Sequence, residues 1–397
     1  MPQLPTTFLS RALLTALLPV ALLACTPSPS PASAGDAAAT APAADPGAMA
    51  APDAQASAQG GSYQATTGEA AGDPAAMPSS ALPGAGAPGT VGIPGAADAP
   101  AAPPPAPVTA AAANATLAAD SLLRAQVLLE RAYFSPGEID GKAGSNMRRA
   151  VTAYQRAHEL SVSGELDDAT WAKLNADTAP ILVTHTLTAD DVAGPFAPTP
   201  DGPAAMAELD ALPYNNVEEK LGERFHASPA LLASLNPGVD LSAVGTQLTV
   251  LHVAPARELP ALAKVIVDKS DSALLLEDAD GRIVGHFPVT TGSAQFPLPI
   301  GDWKINGVAR DPVWHFDPKL IAGTAPDARK AEIPPGPNNP VGTTWIDLSK
   351  EHYGIHGTPN PGQVGKNASN GCIRMTNWSV AALANAVKPG VAVTMRE

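Results

Sequence analysis

Two side chains near the C-terminus have the types and spacing of a nucleophile and its base. His356 and Cys372 lie 16 residues apart, and the loop between them is rich in Gly, Pro and Asn. A cysteine attacks as its thiolate, so it needs a nearby base, and an imidazole can serve. Gly371 gives the backbone beside Cys372 the freedom to turn N–H groups toward a developing oxyanion. The pattern predicts a Cys–His acyl-transfer site that uses no metal and no cofactor.

The elements that position these residues are predicted to be short β-strands. Between residues 262 and 397, apolar and aromatic residues form six strand-like runs, AKVIVD, ALLLED, IVGHFPVTT, DWKIN, TTWIDL and YGIHG. Asp-Gly, Pro-Gly and Asn-Pro pairs punctuate the runs, and Asp278–Gly281 has the composition of a hairpin turn. Many short strands with little helix predict a mainly β domain, either a β-sandwich or a barrel-like fold.

The segment around the two residues resembles the signature of the L,D-transpeptidase catalytic domain of the YkuD type. The matching residues are His356-Gly357-Thr358 and Ser369-Asn370-Gly371-Cys372-Ile373-Arg374. The resemblance continues backwards through residues 334–342 and Pro299-Ile300-Gly301, and it covers residues 262–397. Many members of the family carry His where this chain has Asn370.

The resemblance implies a role for each matched residue. Cys372 would attack the carbonyl of the third residue of a peptidoglycan stem peptide, and D-Ala would leave from position four. His356 would move the protons, oriented by the backbone carbonyl of Gly357 or Thr358. The oxyanion and substrate contacts would come from Ser369, Asn370, Gly371 and Arg374. An amine of a neighbouring stem, normally that of diaminopimelate, would resolve the acyl-enzyme and give a 3→3 cross-link. Carbapenems would acylate the same thiol.

Other functions share the same residues. Water as the acceptor would make the protein a carboxypeptidase or hydrolase, and a lipoprotein lysine would make it an anchoring enzyme. A non-catalytic wall-binding scaffold with a degenerate site is the alternative outside enzymes, although His356, Gly371, Cys372 and Arg374 are all intact. The sequence does not distinguish the acyl acceptors.

Residues 116–178 are predicted to form a small three-helix domain. Leu122, Leu123, Val127 and Leu128 have helical spacing with Asp120 as a candidate N-cap, and Ser145 is a candidate N-cap for a second helix. A third helix carries Ala169, Trp171 and Leu174. The segment resembles the peptidoglycan-binding three-helix module at Asp140-Gly141, Gly144, Ala150-Val151, Tyr154-Gln155, Gly164, Asp167, Thr170-Trp171 and Leu174. The resemblance implies peptidoglycan as the partner.

Residues 179–258 are predicted to be an α+β region. ILVTHTLTADDVAG favours a strand and a turn, VEEKLGERFHASPALLASLNPG two short helices, and TQLTVLHV a returning strand. The second half resembles the later part of a LysM repeat through Phe225-His226, Leu231-Leu232, Leu235-Asn236-Pro237-Gly238 and Gly245. The first half lacks the Gly-Asp-Thr-Leu stretch of that family, so a spacer role and a glycan-binding role both stay open.

The N-terminal part has the features of a targeting signal followed by a linker. Residues 1–24 contain one Arg and a short apolar run, which indicates a signal peptide. The run ends in Leu22-Leu23-Ala24-Cys25, which resembles a bacterial lipobox and implies acylation of Cys25. Residues 25–115, rich in Ala, Pro, Gly and Ser, are predicted to be a disordered linker. We expect a periplasmic protein that is lipid-anchored to an envelope membrane, with Thr26 favouring the outer membrane.

Composition excludes several other classes of protein. The net charge of the 397 residues is −14 and no basic run occurs, which argues against a nucleic-acid partner. Cys25 and Cys372 are the two cysteines, too few for a disulfide framework or a cysteine-based zinc site. The chain is therefore predicted to be multidomain, with its acidity placed ahead of a charge-balanced C-terminal third.

Overall fold

The computed structural model describes residues 109–321 and 323–397. Cys25, the predicted signal peptide and most of the predicted linker lie outside the described residues. Within the described ranges, no helix has the length and apolar character needed to cross a membrane.

The first domain is helical. Its helices are α1 (Ala110–Thr116), α2 (Leu122–Arg131), α3 (Ser145–Ala157) and α4 (Asp168–Leu174). Leu128, Leu129, Val151 and Tyr154 are buried where the helices meet. The three predicted helices α2 to α4 are confirmed, since their apolar residues recur at helical spacing and face one core.

Three details of this domain differ from the sequence prediction. Ser121, not Asp120, caps α2 by accepting the N–H of Arg124, and Gly144 precedes α3 so that Ser145 is the first helical residue. The predicted linker also ends early, because α1 occupies Ala110–Thr116. This helix forms in a run of Ala without Pro, and Asn114 fixes it by hydrogen bonds to both backbone groups of Leu182.

The middle region consists of β1 (Leu182–Thr186), α5 (Ala189–Val192), α6 (Pro203–Met206), α7 (Val217–Arg224), α8 (Pro229–Leu235) and β2 (Gln247–Leu251). The two strands pair antiparallel, and α7 and α8 pack on them around Leu221, Leu232, Leu248 and Val250. The two predicted strands and the two predicted helices, α7 and α8, are confirmed, while the short helices α5 and α6 were not predicted. Residues 193–216, called the arm here, carry α6 away from this core, and Leu212 packs with Phe316 and Ile333 of the C-terminal domain.

The C-terminal domain contains β3 (Leu262–Asp268), β4 (Ala273–Asp278), β5 (Ile283–Pro288), β6 (Gly301–Arg310), β7 (Trp314–Phe316), β8 (Ala331–Ile333), β9 (Thr344–Leu348), β10 (Gly354–His356), β11 (Ile373–Arg374), α9 (Asn377–Ala386) and β12 (Ala392–Arg396). Eight strands form one sheet in the order β11-β10-β9-β6-β12-β3-β4-β5, and β7 and β8 form a separate hairpin. The β10–β11 and β12–β3 pairs are parallel and the other pairs antiparallel.

The mainly β prediction is confirmed, but the sheet is one curled sheet rather than a sandwich of two. The register shifts between Leu262 and Lys264, Leu276 and Glu277, and Ile305 and Gly307, and such irregularities bend a sheet locally. One helix, α9, supplies Val380 and Leu383 to the core of the domain.

The helical domain packs directly against the C-terminal domain and the middle region. Phe134 bridges to His286 on the edge strand β5, and the N–H of Ser135 donates to the carbonyl of His286 at 2.9 Å. Ile139 bridges to Ala227 of the middle region. Residues 109–397 are thus one compact unit rather than modules on flexible linkers.

Candidate active site

Strand pairing brings His356 and Cys372 together. His356 is the last residue of β10, and Cys372 directly precedes β11, its parallel neighbour. In the register, Ile355 lies opposite Ile373 and His356 lies opposite Arg374. Both residues line a cavity of about 1570 Å³, to which Ser369, Asn370 and Arg374 also contribute. The loop of residues 357–371 therefore returns the chain to the same edge of the sheet.

His356 is held in one orientation. Its Nδ1 lies 2.7 Å from the carbonyl oxygen of Gly357, and because a carbonyl only accepts, Nδ1 carries the proton. The other ring nitrogen, Nε2, is then the basic one. The ring stacks on Trp345 with centroids 5.5 Å apart. Burial, together with the charge of Arg374, lowers the pKa of His356 to about 3, so the imidazole is neutral at neutral pH.

Cys372 is a free, half-buried thiol at the wall of the cavity. Its Sγ lies 3.7 Å from the carbonyl oxygen of His352. Burial raises the thiol pKa, while the backbone of Gly354 and the guanidinium of Arg374 act in the opposite direction. Both members of the pair are thus uncharged at rest, so the thiolate has to form as the proton passes to a base during the reaction.

The turn before the thiol is fixed by one hydroxyl. Ser369 Oγ donates to the carbonyl of Cys372 at 2.6 Å and accepts the N–H of Gly371 at 3.2 Å. Gly371 has φ +110°, and a Cβ there would meet Tyr353 Cε1 at 3.1 Å. The Gly371 N–H is thus already engaged, whereas the N–H of Cys372 has no acceptor in the described part of the chain.

Arg374 lines two cavities. Its side chain lines the large cavity beside Cys372 and also a second, more polar cavity of about 350 Å³ that contains Thr358 and Asn360. Its buried Nε has no hydrogen-bond partner among residues 109–321 and 323–397. Burial lowers the pKa of Arg374, and the nearby Cys372 opposes that shift. The geometry leaves this guanidinium group able to contact a ligand from either side.

The backbone of Gly357 and Thr358, which directly follow His356, is fixed by hydrogen bonds. The Gly357 N–H donates to the carbonyl of Thr344 at 3.2 Å, and the Thr358 N–H donates to Oδ1 of Asn377 at 3.1 Å. Asn377 was not identified from the sequence. Its signal is weak, since it is one polar residue at the start of α9, directly after the N-cap Thr376.

The cavity wall contains further residues that the sequence did not assign to the site. Asp201 and Met206 come from the arm, and Trp314 and Phe316 come from β7. Tyr353, whose hydroxyl lies 3.5 Å from the carbonyl of Pro297, also faces the thiol. Asp201, Met206, Trp314 and Phe316 lie far in sequence from the Cys–His motif, so no local pattern connects them to the site, whereas Tyr353 is only three residues before His356. Across the described ranges no group of three His, Cys, Asp or Glu side chains could hold a metal ion.

Comparison with known proteins agrees with this geometry. The YkuD family model, the L,D-transpeptidase catalytic domain, matches residues 263–395, and a peptidoglycan binding domain model matches residues 119–174. The L,D-transpeptidase YkuD of Bacillus licheniformis is 30% identical over 179 residues, which are 45% of this chain and 92% of that protein. The L,D-transpeptidase YqjB of Bacillus subtilis is 33% identical over 144 residues, which are 35% of this chain and 74% of that protein.

Among solved structures, the alignment with an L,D-transpeptidase from Xylanimonas cellulosilytica covers 69% of this chain and 92% of that protein's chain. Its identity is 16% and the TM-score is 0.32, too low to define the fold by itself. The matched domains and the Cys–His cavity define an acyl-transferring enzyme with an attached peptidoglycan-binding domain. The chain belongs to the YkuD-type L,D-transpeptidase family.

Proposed function

We propose that this L,D-transpeptidase forms 3→3 cross-links between peptidoglycan stem peptides through an acyl-enzyme on Cys372. The observation that carries the proposal is that Cys372 and His356 line one cavity, with His356 Nδ1 tied to Gly357 so that Nε2 is the basic nitrogen. A neutral imidazole in that orientation can accept the thiol proton as the sulfur attacks.

In the first half-reaction the sulfur bonds to the carbonyl carbon of the third stem residue, and the thiol proton passes to Nε2 of His356. The carbonyl oxygen becomes an oxyanion, and the N–H of Cys372 donates a hydrogen bond to it. The oxyanion collapses, the C–N bond to D-Ala breaks, and the imidazolium returns its proton to the leaving amine. A thioester on Cys372 results, with His356 neutral again.

In the second half-reaction an amine of a neighbouring stem attacks the thioester carbon. His356 accepts a proton from that amine, the C–S bond breaks, and the proton returns to the sulfur. The product is an amide between two stems, and the free thiol is regenerated. Arg374 lines both cavities, so we assign it to orienting the two stems on either side of the thiol. Asn370 lines the large cavity and is proposed as a further contact to the substrate.

The other parts of the chain fit a protein that works at the cell wall. The peptidoglycan-binding domain would hold glycan and stem peptides near the cavity. The middle region, in which α7 and α8 pack on the β1–β2 pair, is proposed as a LysM-like module. Acylation of Cys25 would tether the enzyme through the linker to an envelope membrane, the outer membrane in our proposal, on the periplasmic side.

The test of the reaction uses the purified chain and tetrapeptide muropeptides, with products identified by mass spectrometry. We expect a cross-linked dimer and free D-Ala, both lost in Cys372→Ala and His356→Ala. The matched control is Cys25→Ala, which removes the chain's other cysteine and is expected to keep full activity. Tripeptide without dimer would assign water as the acceptor. No product, together with no carbapenem adduct on Cys372, would indicate a scaffold.

The anchor is tested separately in cells. Cys25→Ala is expected to move the protein from the membrane fraction to the soluble periplasmic fraction and to remove the acyl mass from the N-terminal peptide. An unchanged fractionation and an unmodified wild-type peptide would contradict the proposed lipidation.

A further inference from the structure

One carboxylate of the middle region contacts the catalytic domain at Asn377, whose amide binds the backbone that follows His356. Glu223 on α7 accepts from Asn377 Nδ2 at 2.8 Å through Oε2 and from the Tyr214 hydroxyl at 3.0 Å through Oε1. Asn338 of the catalytic domain donates to the carbonyl of Pro213 at 2.8 Å, beside Tyr214. The carboxylate is therefore held from both sides at the boundary between the two domains.

Asn377 uses its whole amide at this point. Oδ1 accepts the N–H groups of Thr343 at 3.2 Å and Thr358 at 3.1 Å, while Nδ2 donates to Glu223 at 2.8 Å and to the carbonyl of Pro337 at 3.3 Å. Two backbone N–H groups need an acceptor, so the orientation of the amide is determined. Gly342 and Gly357 lie so close to Oδ1 that neither position has room for a Cβ. The amide is thus wedged against the peptide that carries the Gly357 carbonyl.

The Gly357 carbonyl is the acceptor that orients the His356 ring. A displacement of the Asn377 amide would move the 357–358 backbone and with it the imidazole Nε2. Misplacement of a reacting group by about 1 Å can reduce a rate about a hundredfold.

We infer that Glu223 is a positioning residue for the reaction: through Asn377 it fixes the backbone that orients His356, so the middle region forms part of the active site. The inference rests on the proposed role of His356 as the base. It assigns to α7 a task that requires no contact with substrate and no glycan binding.

The inference can be tested by replacing the Glu223 carboxylate with side chains that keep or lose its hydrogen bonds. Glu223→Gln keeps an oxygen that can accept from Asn377 and an amide that can donate to Tyr214, so we expect kcat within about threefold of wild type. Glu223→Ala removes the shorter of the two hydrogen bonds that Asn377 Nδ2 donates and leaves only the 3.3 Å contact with the Pro337 carbonyl, and we expect kcat to fall about tenfold to a hundredfold with KM little changed. Glu218→Ala, an exposed acid on the same helix, is the matched control and is expected to behave as wild type.

A double variant separates positioning from folding. Asn377→Asp retains Oδ1 but turns a second carboxylate oxygen toward Glu223, so we expect a loss of kcat at least as large as in Glu223→Ala. Adding Glu223→Gln supplies a donor to that oxygen, and we expect the pair to regain most of the lost kcat. A purely structural role predicts no such recovery, because both changes alter the same buried interface.

The measurements are kcat and KM for cross-linking by the full chain, with far-UV circular dichroism and thermal midpoint for each variant. Glu223→Ala with wild-type kcat, or no recovery in the double variant, would overturn the inference while leaving the proposed function intact. An inactive wild-type chain would overturn the proposed function itself. If Glu223→Ala fails to fold, the comparison of Asn377→Asp with the double variant decides.

Discussion

The Ser369 hydroxyl donates to the backbone carbonyl of Cys372 at 2.6 Å, and the same oxygen accepts the N–H of Gly371 at 3.2 Å. One side chain thus fixes the peptide groups on both sides of the Gly371–Cys372 bond. The N–H of Cys372 lies between them, so its direction is set by Ser369. We therefore propose that Ser369 shapes the oxyanion site.

Ser369→Ala is therefore expected to slow acylation of Cys372 without removing the nucleophile. Loss of an aligned oxyanion donor costs about a hundredfold to a thousandfold in rate, and partial misalignment should cost about tenfold to a hundredfold. The measurement is the rate of carbapenem acylation followed by mass spectrometry. Ser242→Ala, which removes an exposed hydroxyl bonded to Asp240, is the control. Acylation at the wild-type rate in Ser369→Ala would contradict this role.

Gly371→Ala is expected to abolish most of the activity, because the new Cβ contacts the Tyr353 ring in a turn that already has positive φ. Gly390→Ala is a closely matched control, since Gly390 has φ +94° and open space around the position of a Cβ. Both substitutions strain the backbone by about 1 kcal/mol, but only the first displaces the turn at Cys372. Cross-linking rates and thermal midpoints of the two variants measure the difference. Equal losses of rate in both would show that strain alone is responsible.

The reactivity of Cys372 should rise with pH through the alkaline range. Burial raises the thiol pKa and Arg374 lowers it, so Arg374→Gln is expected to move the pKa further upward, and Arg374→Lys should move it less. The pKa of His356 is lowered to about 3, so its ring stays neutral between pH 5 and pH 8 and adds no inflection there. The measurement is the rate of Cys372 alkylation by iodoacetamide against pH. An inflection near pH 6 that disappears in His356→Ala would contradict the assigned pKa.

Local patterns in the sequence predict much of this protein. The helices α2, α3, α4, α7 and α8 follow from apolar spacing, and the strands β1 to β6, β9 and β10 follow from short apolar runs bounded by turn residues. The strands β7, β8 and β12 were not predicted. Helix α9 was missed because NWSVAALANA is apolar on most sides and has no amphipathic stripe to reveal helical spacing. Strand β11 has two residues, too few for any periodic signal.

The motif likewise identifies the residues near the thiol but not their partners. Sequence left open whether Gly357 or Thr358 orients the imidazole, and the hydrogen bond goes to Gly357. The sequence also predicted that backbone N–H groups near Gly371 and Cys372 hold the oxyanion, but the N–H of Gly371 is engaged by Ser369. Glu223 and Asn377 are 154 residues apart, and contacts of that range depend on how domains pack. The packing of the helical domain on the catalytic domain was missed for the same reason.

That packing leads to a prediction about the loop before Ser369. Asn146 at the start of α3 donates to the carbonyl of Val364 at 2.9 Å, and Arg149 donates to the carbonyl of Gly365 at 3.4 Å. Asn146→Ala leaves the buried Val364 carbonyl without this partner, which costs about 1–3 kcal/mol locally. We expect faster hydrogen exchange in residues 361–368 and a cross-linking rate lowered about threefold to tenfold, since about 1.4 kcal/mol corresponds to a factor of ten. Asn175→Ala, which removes a hydrogen bond with Arg124 within the helical domain, should leave the loop unchanged. If both variants exchange like wild type in this loop, the peptidoglycan-binding domain does not brace the active site, and its attachment serves recruitment alone.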